Sequence, residues 1–164
     1  MDVRLLGQED EAVYRALWLH AMTSHSEFFR TSPNDDLPRG IPTRFCQDSF
    51  TLGAFLDQAL VGIVSFERDP REKTRHKGLV FRMFVHPDSA GHGVGRELIQ
   101  SLVSLTQGLG DLRYLHLTVL ASNTRAISLY SSMQFVEFAR EQGAVLIGDT
   151  YVDELQMARS LVVT

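Results

Sequence analysis

Along this chain the spacing of apolar residues switches repeatedly between a strand-like period of about two and a helix-like period of about 3.6. "DVRLL" (2–6) reads as a short strand, and Gln8 to Met22 carries Val13, Leu17 and either Ala16 or Ala21 near helical spacing. From Ser24 to Arg44 the pattern fails: Pro33, Pro38, Pro42, Asn34 and the pair Asp35-Asp36 break it into a long loop of the kind that carries function. "SFTLGAFLD" (49–57) and "LVGIVSFE" (60–67) predict two strands joined by a tight hairpin around Gln58-Ala59. A charged turn, "RDPREKTRHKG" (68–78), leads to the β-rich "LVFRMFV" (79–85), which His86-Pro87 stops.

Beyond a glycine-rich stretch, Val94, Leu98, Leu102, Leu105 and Leu109 recur every three or four residues, which predicts a helix with one apolar face. "RYLHLTV" (113–119) alternates Leu115, Leu117 and Val119 as a strand does. "NTRAISLYSSM" (123–133) predicts a short helix, "FVEFA" (135–139) a strand, and "AVLIGDTYVDELQMARSL" (144–161) one long final strand. The order β-α-loop-β-β-β-α-β-α-β-β gives a mixed sheet with helices on its faces.

Length and charge narrow the function. A chain of 164 residues with 44% hydrophobic content predicts one domain over residues 1–164. A formal charge of −4 gives no broad basic field, so nucleic acid is not the expected partner, and a neutral or cationic small substrate fits better. The lone Cys46 and the lack of any Cys/His cluster with ligand spacing point to a reducing cytoplasm and no metal site. "TLGAFLDQALVGIVSF" (51–66), the most apolar stretch, is cut by Asp57 and Gln58, and no membrane association is expected.

"HPDSAGHGVGREL" (86–98) places Gly91, Gly93 and Gly95 between a strand and a helix. Such a turn gathers unpaired backbone N–H groups at the positive end of the helix dipole, which suits an anion. The dinucleotide fingerprint fails, because counting from Gly91 its sixth position is Arg96; the P-loop fails because Arg96-Glu97 follows Gly95. A plain glycine turn without a ligand remains the alternative at this point.

"MFVHPDSAGHGVGRELI", followed by "LTVLASNTRAISLYSSMQFVEFARE", resembles the GNAT family of N-acetyltransferases. The matching positions are Val85 and Pro87, the turn Ala90 to Gly95, Asn123, Leu129-Tyr130 and Gln134-Phe135, and the likeness runs from about Leu52 onward. Two positions depart from the family pattern: Ala90 stands where Arg or Gln is usual, and Gln134 where Gly is usual.

The resemblance implies an α/β fold with a mostly antiparallel sheet of about seven strands and a V-shaped splay between the fourth and fifth. It implies acetyl-CoA (coenzyme A) as acyl donor and a primary amine of a small molecule or peptide as acceptor, attacked directly in a ternary complex by a monomer or homodimer. By the same resemblance the pyrophosphate lies on Gly91, His92, Gly93, Val94, Gly95 and Arg96, with His92 and Arg96 compensating in part for Ala90. The pantetheine arm follows Met83, Phe84 and Val85, where the N–H of Phe84 or Val85 polarises the thioester carbonyl. Tyr130 is the implied proton donor to sulfur, and Asn123 contacts the arm while also capping its helix. The alternative is a non-catalytic module that binds or senses acyl-CoA.

No base is assigned: Glu67 and His116 are candidates beside a water chain, and His20 and His25 flank the first helix as a solvated terminus. Cys46 lacks an activating neighbour and is expected to be a core or loop thiol. Asp35-Asp36 fit loop solvation or attraction of a cationic amine, and "REKTRHK" (71–77) fits a wet turn better than a contact to the 3′-phosphate.

Overall fold

The computed structural model describes residues 1–36 and 40–162, so Pro38 and the side chain of Asp36 lie outside the described residues. Its strands are β1 (Asp2–Leu5), β2 (Ser49–Leu56), β3 (Ala59–Arg68), β4 (Lys77–Val85), β5 (Tyr114–Leu120), β6 (Val136–Ile147) and β7 (Thr150–Ser160). They form one sheet in the order β1-β2-β3-β4-β5-β7-β6. Every neighbouring pair is antiparallel except β4 and β5, which run parallel and share only three rungs: Lys77↔Tyr114, Gly78↔Leu115 and Leu79↔His116. Beyond them the two strands part, as the splayed fold requires.

Helices cover both faces, and the alternation of each strand divides its apolar residues between two cores. One core joins Leu98, Ile99 and Leu102 of α3 (Val94–Gln107) to Leu52, Val64, Phe66, Leu115, Leu117 and Met157. The other joins Tyr14, Leu17 and Trp18 of α1 (Glu11–Ser24) to Ile63 and Phe84.

The helix stripes differ from the expected ones. In α1 the buried positions are Tyr14, Leu17, Trp18, Ala21 and Met22, while Val13 and Ala16 face solvent. In α3, Ile99, Val103 and Thr106 share the buried face, Leu105 is exposed and Leu109 lies past the helix end. Thr106 is tolerated there because its hydroxyl donates to the Leu102 and Val103 carbonyls.

Two turns also move. The β2–β3 hairpin turns at Asp57-Gln58, both at positive φ (46° and 70°) as a type I′ turn demands, one residue before the expected place. The single final strand is two: residues 144–147 complete β6, and Gly148, at φ 60°, turns the chain into β7. The proline-broken segment holds a 3-10 turn at Ser26–Phe28 and a short helix, α2 (Pro33–Asp36).

One irregularity in β4 decides which side chains its two faces present. Between the pairs Ser65↔Phe81 and Ile63↔Phe84, β3 advances two residues and β4 three, so β4 carries a bulge, with Arg82 at φ 49°. The extra residue reverses the strand's phase. Val80 lies in the α3-side core and Met83 and Val85 pack against it, while Phe84 turns to the α1-side core.

Candidate active site

Where β4 and β5 part there is a cleft of about 1030 Å³, bounded by β4 from Leu79 to Val85, by β5 from Leu117 to Leu120, and by the glycine turn. From Val80 onward the edge of β4 facing β5 has no strand partner, so main-chain donors and acceptors there are open to an extended ligand.

The three glycines serve different purposes. Gly91 and Gly93 adopt positive φ (82° and 76°), and a Cβ built on either meets nothing within 4 Å, so conformation rather than crowding selects glycine there. Gly95 lies inside α3, where a Cβ would stand 2.9 Å from Leu129 Cδ2. It lets α3 approach α4 (Thr124–Ser132) closely. The helical ladder starts when the Glu97 N–H donates to the Gly93 carbonyl, so the N–H groups of Val94, Gly95 and Arg96 precede it.

Side chains near the turn are less uniform than the sequence implies. Arg96 lines the cleft, but its guanidinium donates to Ser132 Oγ (3.1 Å) and Met133 Sδ (3.5 Å), which ties the start of α3 to the end of α4. His92 is exposed and is not among the cleft-lining residues, whereas Ala90 is one of them. Met83, Phe84 and Val85 line the cleft as well.

On α4, Asn123 caps the helix by accepting the Ala126 N–H, and Tyr130 lies two turns further along the same helix. Both line the cleft. Tyr130 is buried, its ring lies edge-on to Phe135, and burial pushes its hydroxyl well above the usual tyrosine range. Gln134, just past α4, sits at φ 66°, which explains why glycine is the usual residue at that place.

Other residues singled out in the sequence stand elsewhere. Glu67 accepts from Ser49 Oγ and from Arg44 (2.7 Å), and it lies at the paired end of β4, opposite Leu79, outside the cleft lining. His116 also lies outside that lining, beside Tyr114 and Phe138; burial, with Lys77 and His76 nearby, lowers its pKa. Cys46 is exposed in a bridge to Ser49. Arg71 pairs with Asp69 within its own turn.

His20 and His25 are more engaged than a solvated terminus implies. His20 stacks on His86 (4.7 Å between ring centroids) and His25 packs on Phe84 and lines the cleft. Asp35 also lines the cleft, accepting from the Ser32 N–H and hydroxyl.

Arg82 and Glu154 line the cleft too, and neither was marked by a sequence pattern. Arg82 donates to Tyr14 Oη (3.0 Å) and lies over the Trp18 ring. Among the described residues no three His, Cys, Asp or Glu side chains gather as a metal site, and no helix is long and apolar enough to cross a membrane.

A sheet parted at its one parallel junction, with a glycine turn opening a helix beside the gap, is the fold of solved GNAT acetyltransferases. One from Streptococcus pneumoniae superposes with a TM-score of 0.80 at 23% identity, over 97% of this chain and 98% of that one. A putative acetyltransferase, yncA from Salmonella typhimurium, solved with acetyl-CoA, gives 0.82 at 19% identity over 100% and 95%. The chain belongs to the acetyltransferase (GNAT) family, whose model matches residues 14–135. It is also 32% identical over 76 residues to the UPF0157 protein YqkA of Bacillus subtilis, a match spanning 46% of this chain but only 20% of that protein.

Proposed function

We propose that residues 1–164 act as one N-acetyltransferase domain that moves an acetyl group from acetyl-CoA to a primary amine of a small molecule or peptide. The observation that carries this is the convergence of the open β4 edge, the Gly91–Gly93 cradle and Tyr130 on one cleft. A cradle whose glycines leave empty space where a Cβ would stand fits a pyrophosphate against its backbone N–H groups. When bound, acetyl-CoA supplies an activated thioester.

The chain's own residues then divide the work. The N–H groups of Gly91 to Arg96 would hold the phosphates, supported by the dipole of α3. Met83 to Val85 would pair with the pantetheine amides as a strand does, and the N–H of Phe84 or Val85 would polarise the thioester carbonyl. Once the amine has lost a proton to solvent, its nitrogen would bond to the carbonyl carbon as the C–S bond breaks, and Tyr130, kept protonated by burial, would give its proton to the departing sulfur. Asn123 holds the start of α4 and touches the arm. The exposed lone thiol of Cys46 suits a reducing cytoplasm.

The test follows thiol release from acetyl-CoA against a panel of primary amines, with Tyr130→Phe as control. Amine-dependent release that falls in the variant supports the reading. Coenzyme A binding without turnover on any amine favours a non-catalytic sensing module, the reading that Ala90 in the cradle leaves open. No binding and no rise in melting temperature with coenzyme A overturns both.

A further inference from the structure

Glu154 is the one residue among the described cleft-lining carboxylates that is buried in the sheet. Its side chain is 4% exposed, and it lies on β7 opposite Leu120, where β5 ends at the mouth of the gap. Leu155 and Met157 point into the α3-side core, so the alternation of β7 puts Glu154 on the α1 side. That is the face to which the β4 bulge also turns Phe84. Among the described residues the carboxylate has no hydrogen bond, and its single ion pair is long: Arg30 Nη1 stands 3.7 Å from Oε1. Two other ion pairs with a buried partner close more tightly, Arg4–Asp10 and Arg68–Asp111 each at 2.7 Å. A carboxylate this deep without close donors is costly unless a partner arrives from the cleft.

The segment that brings Arg30 also brings an apolar wall. Phe29 lies edge-on to Trp18 (5.1 Å) and tilted against Phe84 (6.2 Å), Phe28 is partly exposed beside it, and all four rings line the cleft. Arg30 itself is 58% exposed. Besides Tyr130, the other ionisable side chains lining the cleft are Arg82 from β4, Arg96 from α3, Arg125 from α4, His25 after α1 and Asp35 from α2. Arg82 is engaged with Tyr14 and Trp18, and Asp35 with Ser32.

We propose that Glu154 anchors the acceptor: its carboxylate takes the ammonium of a primary amine whose aromatic or apolar body lies on Phe28 and Phe29, and Arg30 is a placeholder that this ammonium displaces. The proposal rests on the acetyltransferase reading and deepens it by naming the acceptor class and the residue that selects it. A compact ammonium brings three donors to an oxygen pair that the single long Arg30 contact leaves underused. Acids of the same shape meet a like charge and are refused.

The probes are 2-phenylethylamine, its neutral isostere 2-phenylethanol and the anion 3-phenylpropionate, with Glu154→Gln, Arg30→Met and the double variant. Expected results are a KM for the amine raised about tenfold or more by Glu154→Gln, with the coenzyme A Kd unchanged. Arg30→Met lowers that KM, and the benefit vanishes in the double variant. An unchanged KM in Glu154→Gln, a raised one in Arg30→Met, or equal binding of the amine and 3-phenylpropionate overturns the proposal. If the wild-type protein turns over no amine, the transferase reading fails separately, and calorimetric binding of 2-phenylethylamine to the coenzyme A complex still decides: loss in Glu154→Gln supports the anchor, and retention refutes it.

Discussion

Val80 and Phe84 stand four residues apart on β4 and face opposite sides of the sheet, Val80 in the core of α3 and Phe84 in that of α1. A regular strand puts such residues on one face; the bulge at Arg82 separates them. The main chain between them borders the cleft, so one extra residue lets a single stretch of the cleft wall send side chains to both faces of the sheet. Phe84→Ala is expected to cost about 3 kcal/mol and Val80→Ala somewhat less, and because the two occupy separate cores their effects add within about 0.5 kcal/mol. Urea unfolding of the two single variants and the double variant checks this, and a strongly non-additive result contradicts the separation.

Tyr130→Phe removes the hydroxyl and keeps the ring against Phe135. Expected is a fall in kcat of about 10²- to 10³-fold with coenzyme A binding intact. Because burial raises the hydroxyl's pKa above the ordinary tyrosine value of about 10, the proton stays on oxygen throughout the neutral and mildly alkaline range. The kcat profile of the wild-type enzyme therefore shows no tyrosine-dependent decline between about pH 7 and pH 10, a range set by that ordinary value.

Ala90 lines the cleft at the start of the glycine turn; of the two side chains expected to compensate for it, Arg96 lines the cleft and donates to Ser132, and His92 is outside the lining. Ala90→Arg is expected to tighten coenzyme A binding about tenfold at low salt, with the gain shrinking as salt rises. Titration calorimetry at two ionic strengths measures it, and unchanged affinity means that the backbone donors and Arg96 already suffice.

Gln134 holds a left-handed conformation that costs a side-chain-bearing residue about 1 kcal/mol. Gln134→Gly relieves that strain and is expected to raise stability by about 0.5 kcal/mol after the added chain entropy, while Gln134→Val lowers it. Thermal melts of the two variants should move in opposite directions.

Asp10 accepts two hydrogen bonds from Arg4 (2.7 and 2.8 Å) and one from the Gly7 N–H (2.9 Å). The Arg4 contact is the main force holding its carboxyl below the usual range. The folded-state pKa is depressed, so this contribution to stability is complete above the ordinary carboxylate value of about 3.9 and is lost as pH falls below it. Asp10→Asn should lower stability near neutrality and flatten the acid limb of the stability-against-pH curve, which chemical denaturation between pH 3 and pH 7 resolves.

The parts legible in the sequence are those written in short-range chemistry. Asn123 shows a short acceptor ahead of a helix, and Gly91 and Gly93 show residues freed for positive φ. The turn and the later Leu129-Tyr130, taken together, point to the family that the comparison finds. Arg82 is not a residue type that announces a left-handed backbone, and Gln134 hinted at one only by standing where glycine is usual in the family. The Gly148 turn lay inside an apolar run whose β character masked it. Glu154 left only a faint trace, a charge between strand residues whose alternating partners Leu155 and Met157 are core. The segment after α1 brings Arg30 to it, a tertiary fact that no local pattern holds.

The three rungs between β4 and β5 also have a mechanical meaning. The sheet is two stiff leaves, β1 to β4 and β5 to β7, stitched along a seam that is short at one end and open at the other. Such a seam is the line of least resistance when the leaves twist against each other. An extended ligand paired to the open β4 edge would bridge the two leaves at the place where their own strand pairing lapses.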